Sequence, residues 1–223
     1  MATLPTEADT FQPFFIWLVT AKFNGALLAV AADFCGKWTP YTGVQIRPNR
    51  NGSGVFVAST DAGRLAFLAF DENGSADEEL CLLATSDLLK HTKPLKSASR
   101  WIEIEGSIAR CSKLTKSTTT TVEVPVTYST VEPPDLVGAM HKVALQWGKD
   151  QPHCVDCGNF NGSFLTRAFK AIEVLGGSVT MSHLNGGPLR VESTDHDVIV
   201  LVMPETARPI PALPAFLKSF SVS

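Results

Sequence analysis

The chain lacks the short motifs that mark common enzyme classes. It has no Gly-x-x-x-x-Gly-Lys phosphate loop, no Gly-x-Gly-x-x-Gly turn after a strand, no His-Glu-x-x-His zinc helix and no Gly-x-Ser-x-Gly nucleophile turn. A basic excess is missing as well. The formal net charge of −3 and a pI near 5.9 speak against a simple basic nucleic-acid binder, so any function on DNA depends on where the cations sit. Long apolar runs are absent: Phe14–Ala21 falls far below the length a bilayer requires. Met1–Thr10 carries Glu7 and Asp9 but no basic residue, which is the wrong start for a secretory signal. With five cysteines, an odd number, these features predict reduced thiols in a soluble, cytoplasmic, non-enzymatic protein that needs no cofactor.

What is present is ordinary globular material. Hydrophobic residues make up 44% and charged residues 18% of 223 positions, enough for one large domain or two small ones with a proper core. Phe14–Ala21 reads as a buried strand, and Asn24 caps a predicted helix from Gly25 to about Phe34, closed by Gly36. Strands are expected at Gly43–Arg47, Gly54–Ser59 and Leu65–Phe70. A similar unit follows: a strand at Leu80–Leu83, a helix from Thr85 to Thr92 stopped by Pro94, and strands at Trp101–Glu105, Ser107–Cys111 and Thr119–Thr127. Leu136–Trp147 suits one amphipathic helix, with Val137, Met140, Val143 and Ala144 inward. The last unit has a short strand at Cys154–Cys157 and a helix Gly162–Leu175 between Asn161 and Gly176. Strands at Val179–His183, Leu189–Ser193 and Val198–Met203 complete it, the first two joined by the turn Asn185-Gly-Gly-Pro.

Two strings recur in order. Phe23-Asn-Gly and Phe160-Asn-Gly each open a helix, and Val57-Ala-Ser-Thr-Asp and Val191-Glu-Ser-Thr-Asp each precede an apolar strand. Their offsets are 34 residues (23 to 57) and 31 residues (160 to 191), which points to a repeated βαβββ unit. Asn-Gly and Ser-Thr-Asp are also common turn strings, so the order of elements carries much of the weight. Each such unit buries one helix face on a short sheet and leaves strand edges in need of a neighbour, which predicts side-by-side packing or a homo-oligomer.

These segments resemble the bacterial DNA polymerase III β sliding clamp family, as a short and divergent phage- or plasmid-type member. Gly43-Val-Gln-Ile-Arg with Val57-Ala-Ser-Thr-Asp-Ala-Gly-Arg-Leu-Ala is similar to the family's strand pair ending in Thr-Asp-Gly-His-Arg-Leu-Ala. Val131-Glu-Pro-Pro-Asp resembles its Phe-Pro-Asp loop, and Asn161 to Glu205, with Val200-Leu-Val-Met-Pro, resembles its final unit and Val-Met-Pro ending. Ala62-Gly63 stands where the family has Gly-His, and about three units are evident, fewer than in a full clamp. The resemblance implies an α+β fold of repeated βαβββ units, with mostly antiparallel sheets and helices on one face. It divides the chain into a two-unit domain (11–127), a linker with a helix (128–153), a half-domain (154–205) and a proline-rich tail (206–223).

The same resemblance implies a replication accessory (processivity) factor that binds DNA polymerase or clamp-loader peptides and encircles duplex DNA without reading its sequence. The peptide pocket maps onto Thr60, Gly63, Arg64 and Leu65 with Val202, Met203 and Pro204, where a flexible methionine suits several peptides. The competing reading makes Leu65, Val202 and Met203 core strand residues. Candidate DNA-facing cations are Lys22, Lys90, Lys93, Arg167 and Lys170, the competing reading being solvated helix faces. A basic cluster also spans Lys96, Arg100, Arg110, Lys113 and Lys116. Two alternatives stand beside this one: a clamp-fold interaction protein that engages replication proteins without encircling DNA, and a metal or redox protein built on Cys154 and Cys157. A structural zinc needs two further ligands, for which Cys111, His141 and His153 are the candidates. The tail segment Ala215-Phe-Leu-Lys-Ser-Phe has the character of a pocket-binding peptide.

Overall fold

The computed structural model describes residues 20–149, 159–183 and 187–205. In chain order these form β1 (Thr20–Asn24), α1 (Gly25–Ala32), β2 (Gly43–Pro48), β3 (Val55–Thr60), β4 (Leu65–Asp71), β5 (Ser75–Ala76), β6 (Leu80–Leu83), α2 (Ser86–Thr92), β7 (Ser99–Glu105), β8 (Ile108–Leu114) and β9 (Thr119–Pro125). After these come α3 (Leu136–Lys149), α4 (Gly162–Leu175), β10 (Val179–His183), β11 (Leu189–Ser193) and β12 (Val198–Val202). Most of the expected strand at Phe14–Ala21, the strand at Cys154–Cys157 and the whole tail lie outside the described residues, as do part of the Asn185 turn and the inward side chains Val143 and Ala144.

Capping chemistry sets the helix boundaries. The Asn24, Thr85 and Asn161 side chains accept hydrogen bonds from the N–H groups of Ala26, Leu88 and Ser163. Gly176 ends α4 in the left-handed region, at φ 90°, a conformation glycine adopts without steric cost. α1 stops short of the expected Phe34 because its last turn tightens. Asp33 and Phe34 donate to the carbonyls three residues back, at 3.1 and 2.9 Å, in place of the helical four.

Two antiparallel sheets result, one five-stranded in the order β5-β1-β7-β8-β9 and one seven-stranded in the order β10-β11-β12-β4-β3-β2-β6. The first two units interlock. β1 precedes α1 yet pairs with β7, while β6 precedes α2 yet pairs with β2. The third unit joins through β12, which pairs with β4 so that Val202 lies opposite Leu65 and Val198 opposite Ala69.

Strand alternation assigns the faces. Along β4, Leu65, Phe67 and Ala69 are buried against α1 and α4, while Ala66, Leu68 and Phe70 face the other way. α1, α2 and α4 thus share one face, and a single core drawing on all three units lies beneath them, with Phe23, Phe34, Phe67, Ile102, Ile172 and Val200 fully buried. Each such aliphatic or aromatic side chain contributes about 1.5–3 kcal/mol. The helices of the repeat units share a face as expected, and the linker helix packs elsewhere. α3, which belongs to no repeat unit, lies on the opposite face of the seven-stranded sheet, where its buried Met140 packs on Ala66, Leu68, Ile199 and Leu201. The inner face of that sheet is already occupied by α1 and α4, which leaves its apolar outer face for the stripe of α3.

Candidate functional site

The junction between β4 and β12 brings together the residues expected to form a peptide pocket. The Met203 N–H donates to the Arg64 carbonyl at 2.9 Å, which extends the ladder one step past β12. The turn before β4 is organised by Asp61, whose Oδ1 accepts from the N–H groups of Arg64 (3.0 Å) and Leu65 (2.8 Å). Ala62 (φ 78°) and Gly63 (φ 109°) both sit in the left-handed region within this turn. Beyond β12, the Glu205 N–H donates to the Asn159 carbonyl at 2.7 Å and Asn161 Nδ2 donates to its carboxylate at 3.1 Å. The exit of β12 is thereby tied to the entry of α4.

The seven residues divide by face. Leu65 and Val202 point into the core and are essentially unexposed. Thr60 is also buried, its hydroxyl donating to the Leu65 carbonyl at 2.6 Å. Gly63, Arg64 and Met203 are exposed and Pro204 is half-buried. On the outer face, continuing from Met203 by strand alternation, lie Leu201 and Ile199 beside Ala66 and Leu68. Sequence reasoning missed these four, although the period-2 pattern of β4 and β12 carries the signal.

This outer face holds a cleft of about 450 Å³ between α3 and the sheet. Phe56, Leu68, Ile199 and Leu201 line it from the sheet, Val137 and Met140 from α3, and Arg47, Arg50 and Arg190 also border it. Arg47 holds the start of α3 through Asp135 and also pairs with Glu79 at 3.5 Å, while Arg190 pairs with Glu192. Gln45, 2% exposed, donates to the Pro134 carbonyl at 2.7 Å and pins the segment leading into α3. The N–H of Gly138, chiefly, and the Arg47 guanidinium hold the Asp135 carboxyl below the usual carboxylate range, against the opposing effect of burial.

The expected DNA-facing cations do not all lie on one face. Lys90, Lys93 and Lys170 are exposed on or beside the helices α2 and α4, whereas α1 carries no charge at all. Arg167 is half-buried and structurally engaged. Its guanidinium donates to the Asp33 carbonyl at the end of α1 and stands 5.6 Å over the Phe34 ring. Together with Lys170 it borders a crevice of about 270 Å³ between α1 and α4. The structure sets Lys22 apart from these. Ala21 and Phe23 occupy the helix side of β1, so Lys22 faces outward, 2.6 Å from Glu103 and 5.9 Å from the Trp101 ring centroid. Alternation also divides the basic cluster. Arg110 faces outward between Glu105 (3.2 Å) and Glu123 (3.1 Å), while Lys113 falls on the helix side of β8 with Cys111.

Cys154, Cys157 and His153 lie outside the described residues. Among the described residues there is no group of three or more metal-ligating side chains, and no helix is long and apolar enough to cross a membrane. Burial pushes the Cys35 thiol up to about 12, with smaller contributions from Cys81 and Asp33, and burial likewise raises Cys81 and Cys111. Such thiols stay protonated and are poor nucleophiles.

Neither a family model nor a curated protein matches the chain. Solved structures do. A DNA polymerase sliding clamp from Pseudomonas aeruginosa superposes with a TM-score of 0.52 at 12% identity, over 85% of this chain and 67% of that one. The H. pylori β clamp in complex with diflunisal gives a TM-score of 0.54 at 13% identity, over 85% and 66%. The β subunit from the DNA polymerase of Streptococcus pyogenes gives 0.52 at 14% identity, over 92% and 68%. The α+β fold, with two antiparallel sheets and four helices, is therefore similar to that of the β clamps. The matched region amounts to about two thirds of each clamp chain's length.

Proposed function

We propose that this protein is a clamp-like replication accessory factor, a non-catalytic cytoplasmic protein that binds short apolar segments of DNA polymerases or clamp loaders and, as a homo-oligomer, surrounds duplex DNA. The observation that carries this reading is the β4–β12 junction. An exposed Met203 and Arg64 meet there at the margin of an apolar outer face, while α1 and α4 line the opposite face of the same sheet and α2 packs beside α1 on the five-stranded sheet. A methionine beside aliphatic residues adapts to peptides of different shape. Helices on the other side offer Lys90, Lys93 and Lys170 to phosphates as diffuse positive charge. The domain division follows the interlocking of the strands: the first two units form one domain and the third a half-domain, with α3 in the segment between.

A second reading rests on a specific observation. The uncharged α1 and the engagement of Arg167 leave few free cations on the helical face, which favours a clamp-fold protein that recruits replication proteins without enclosing DNA. Retention on nicked circular plasmid during gel filtration, before and after linearisation, separates the two. An encircling protein stays on the circle, leaves the linear form, and loses retention in the Lys90→Glu/Lys170→Glu variant. Equal behaviour on both DNA forms refutes encirclement.

A further inference from the structure

In a chain of formal net charge −3, the cleft on the outer face of the seven-stranded sheet collects cations. Arg47, Arg50, Arg190 and His141 line it, and no aspartate or glutamate does. Two of these arginines already have carboxylate partners: Arg47 in Asp135 and Glu79, Arg190 in Glu192. Arg50 stands exposed in the turn between β2 and β3, and among the described residues it has no ion-pair partner. Asn49 holds that turn in shape. Its side chain accepts from the Asn51 N–H at 3.1 Å and donates to the Ser53 carbonyl at 3.0 Å, so Arg50 is presented on a formed turn. The turn lies outside every stretch that resembles the clamp family.

Strand register separates this end of the cleft from the Met203 margin. Phe56 lines it, with its ring 4.9 Å from that of Phe70, and the Phe70 N–H donates to the Asp197 carbonyl at 2.8 Å. Asp197 is six residues before Met203, which at the rise of a strand is about 20 Å. Leu201, Ile199 and Leu68 floor the space between. An apolar trough with cations and no anions at one end suits an extended peptide whose aliphatic side chains lead into carboxylates. A single-stranded nucleic acid suits it less, because bases stack on open aromatic faces and the floor is aliphatic apart from Phe56, which Phe70 covers. The chain's own residues 206–223 suit it less as well, since they hold Arg208 and Lys218 and no Asp or Glu.

We propose that the outer cleft binds an extended acidic segment of a partner protein, its aliphatic side chains along Leu201, Ile199 and Leu68 and its carboxylates at Arg50. Such a contact deepens the peptide-binding reading of this face, on which it rests, by naming the chemistry of the segment bound. Arg47 and Arg190, held by their own carboxylates, shape the rim, and Arg50 supplies the charge that the ligand must match.

Fluorescence anisotropy on the full chain tests it with a dye-labelled peptide in which alternating leucines and serines lead into three glutamates, and with its counterpart carrying glutamines there. The glutamate peptide should bind at least about tenfold more tightly. Arg50→Ala should weaken it about three- to tenfold, the scale of one charge-assisted contact near the surface, and leave the glutamine peptide unchanged. Lys116→Ala, which removes the same charge from an exposed position after β8, should change neither. Both substituted side chains are exposed, so the circular dichroism spectrum should stay that of the parent. Hydrogen exchange gives a second readout: the glutamate peptide should slow the amides of residues 47–56 and leave those of Thr119–Pro125 unchanged. Equal binding of the two peptides, equal losses in Arg50→Ala and Lys116→Ala, or displacement by oligothymidylate or by a peptide of residues 208–220 at lower concentration than by unlabelled glutamate peptide overturns the proposal. A polymerase peptide indifferent to Met203→Ala, with the glutamate dependence intact, would end the clamp reading and leave this site standing.

Discussion

Replacing Leu65 and Met203 separately by alanine distinguishes a core residue from a binding residue at the same junction. Leu65 is 1% exposed and lies on the helix side of β4 opposite Val202. Truncating a filled core site costs about 2–5 kcal/mol, through lost burial and the cavity left behind. In a chain of this size each kcal/mol lowers the melting temperature by roughly 2–4 °C, so Leu65→Ala should melt about 4–20 °C lower. Met203 is 42% exposed, and its truncation should cost well under about 1 kcal/mol. The assay pairs thermal unfolding with fluorescence anisotropy of a labelled apolar peptide from a replicative polymerase, read well below both melting temperatures. Leu65→Ala should bind within a few-fold of the parent. Met203→Ala should melt like the parent and bind at least about tenfold more weakly, a loss of about 1.4 kcal/mol. The reasoning fails if Met203→Ala keeps full affinity, or if Leu65→Ala loses affinity with its melting temperature unchanged.

Two further expectations concern titratable groups. The lowered folded-state pKa of Asp135 means that its contribution to stability is complete above the ordinary carboxylate range and is lost as pH falls through the folded value. Amide exchange at Ala139 and Met140 should therefore quicken on acidification, while Asp135→Asn should show the faster exchange already at neutral pH. The effect should be small, since the carboxylate is 61% exposed. Cys35, its thiol raised to about 12, should resist iodoacetamide at pH 8 in the folded protein and react readily in urea; rapid alkylation without denaturant would contradict its burial.

Much of the local structure was legible from the chain because local chemistry decides it. Asn161 and Gly176 bracket α4 at the residues their capping roles require, and Leu80–Leu83 is a strand with the expected limits. Less of the candidate site was legible. A run such as Leu65-Ala-Phe-Leu-Ala-Phe is apolar at every position, so alternation alone does not say which set faces the helices. The resemblance singled out Leu65 and Val202 alongside Met203, but only Met203 stands in the open. Lys22 looked like a helix-entry cation, yet one step of strand register turns it to the opposite face.

By itself the sequence determined the order of helices and strands, several of the helix caps, and that a strand–helix–strand order repeats, since caps, turns and β-branched runs act over a few residues. The tertiary structure alone decided that β1 and β6 exchange between units, that β12 completes the sheet beside β4, and that α3 takes the outer face. Those outcomes depend on which apolar surfaces remain uncovered once the nearer elements have packed, and residues far apart in the chain meet there only after folding.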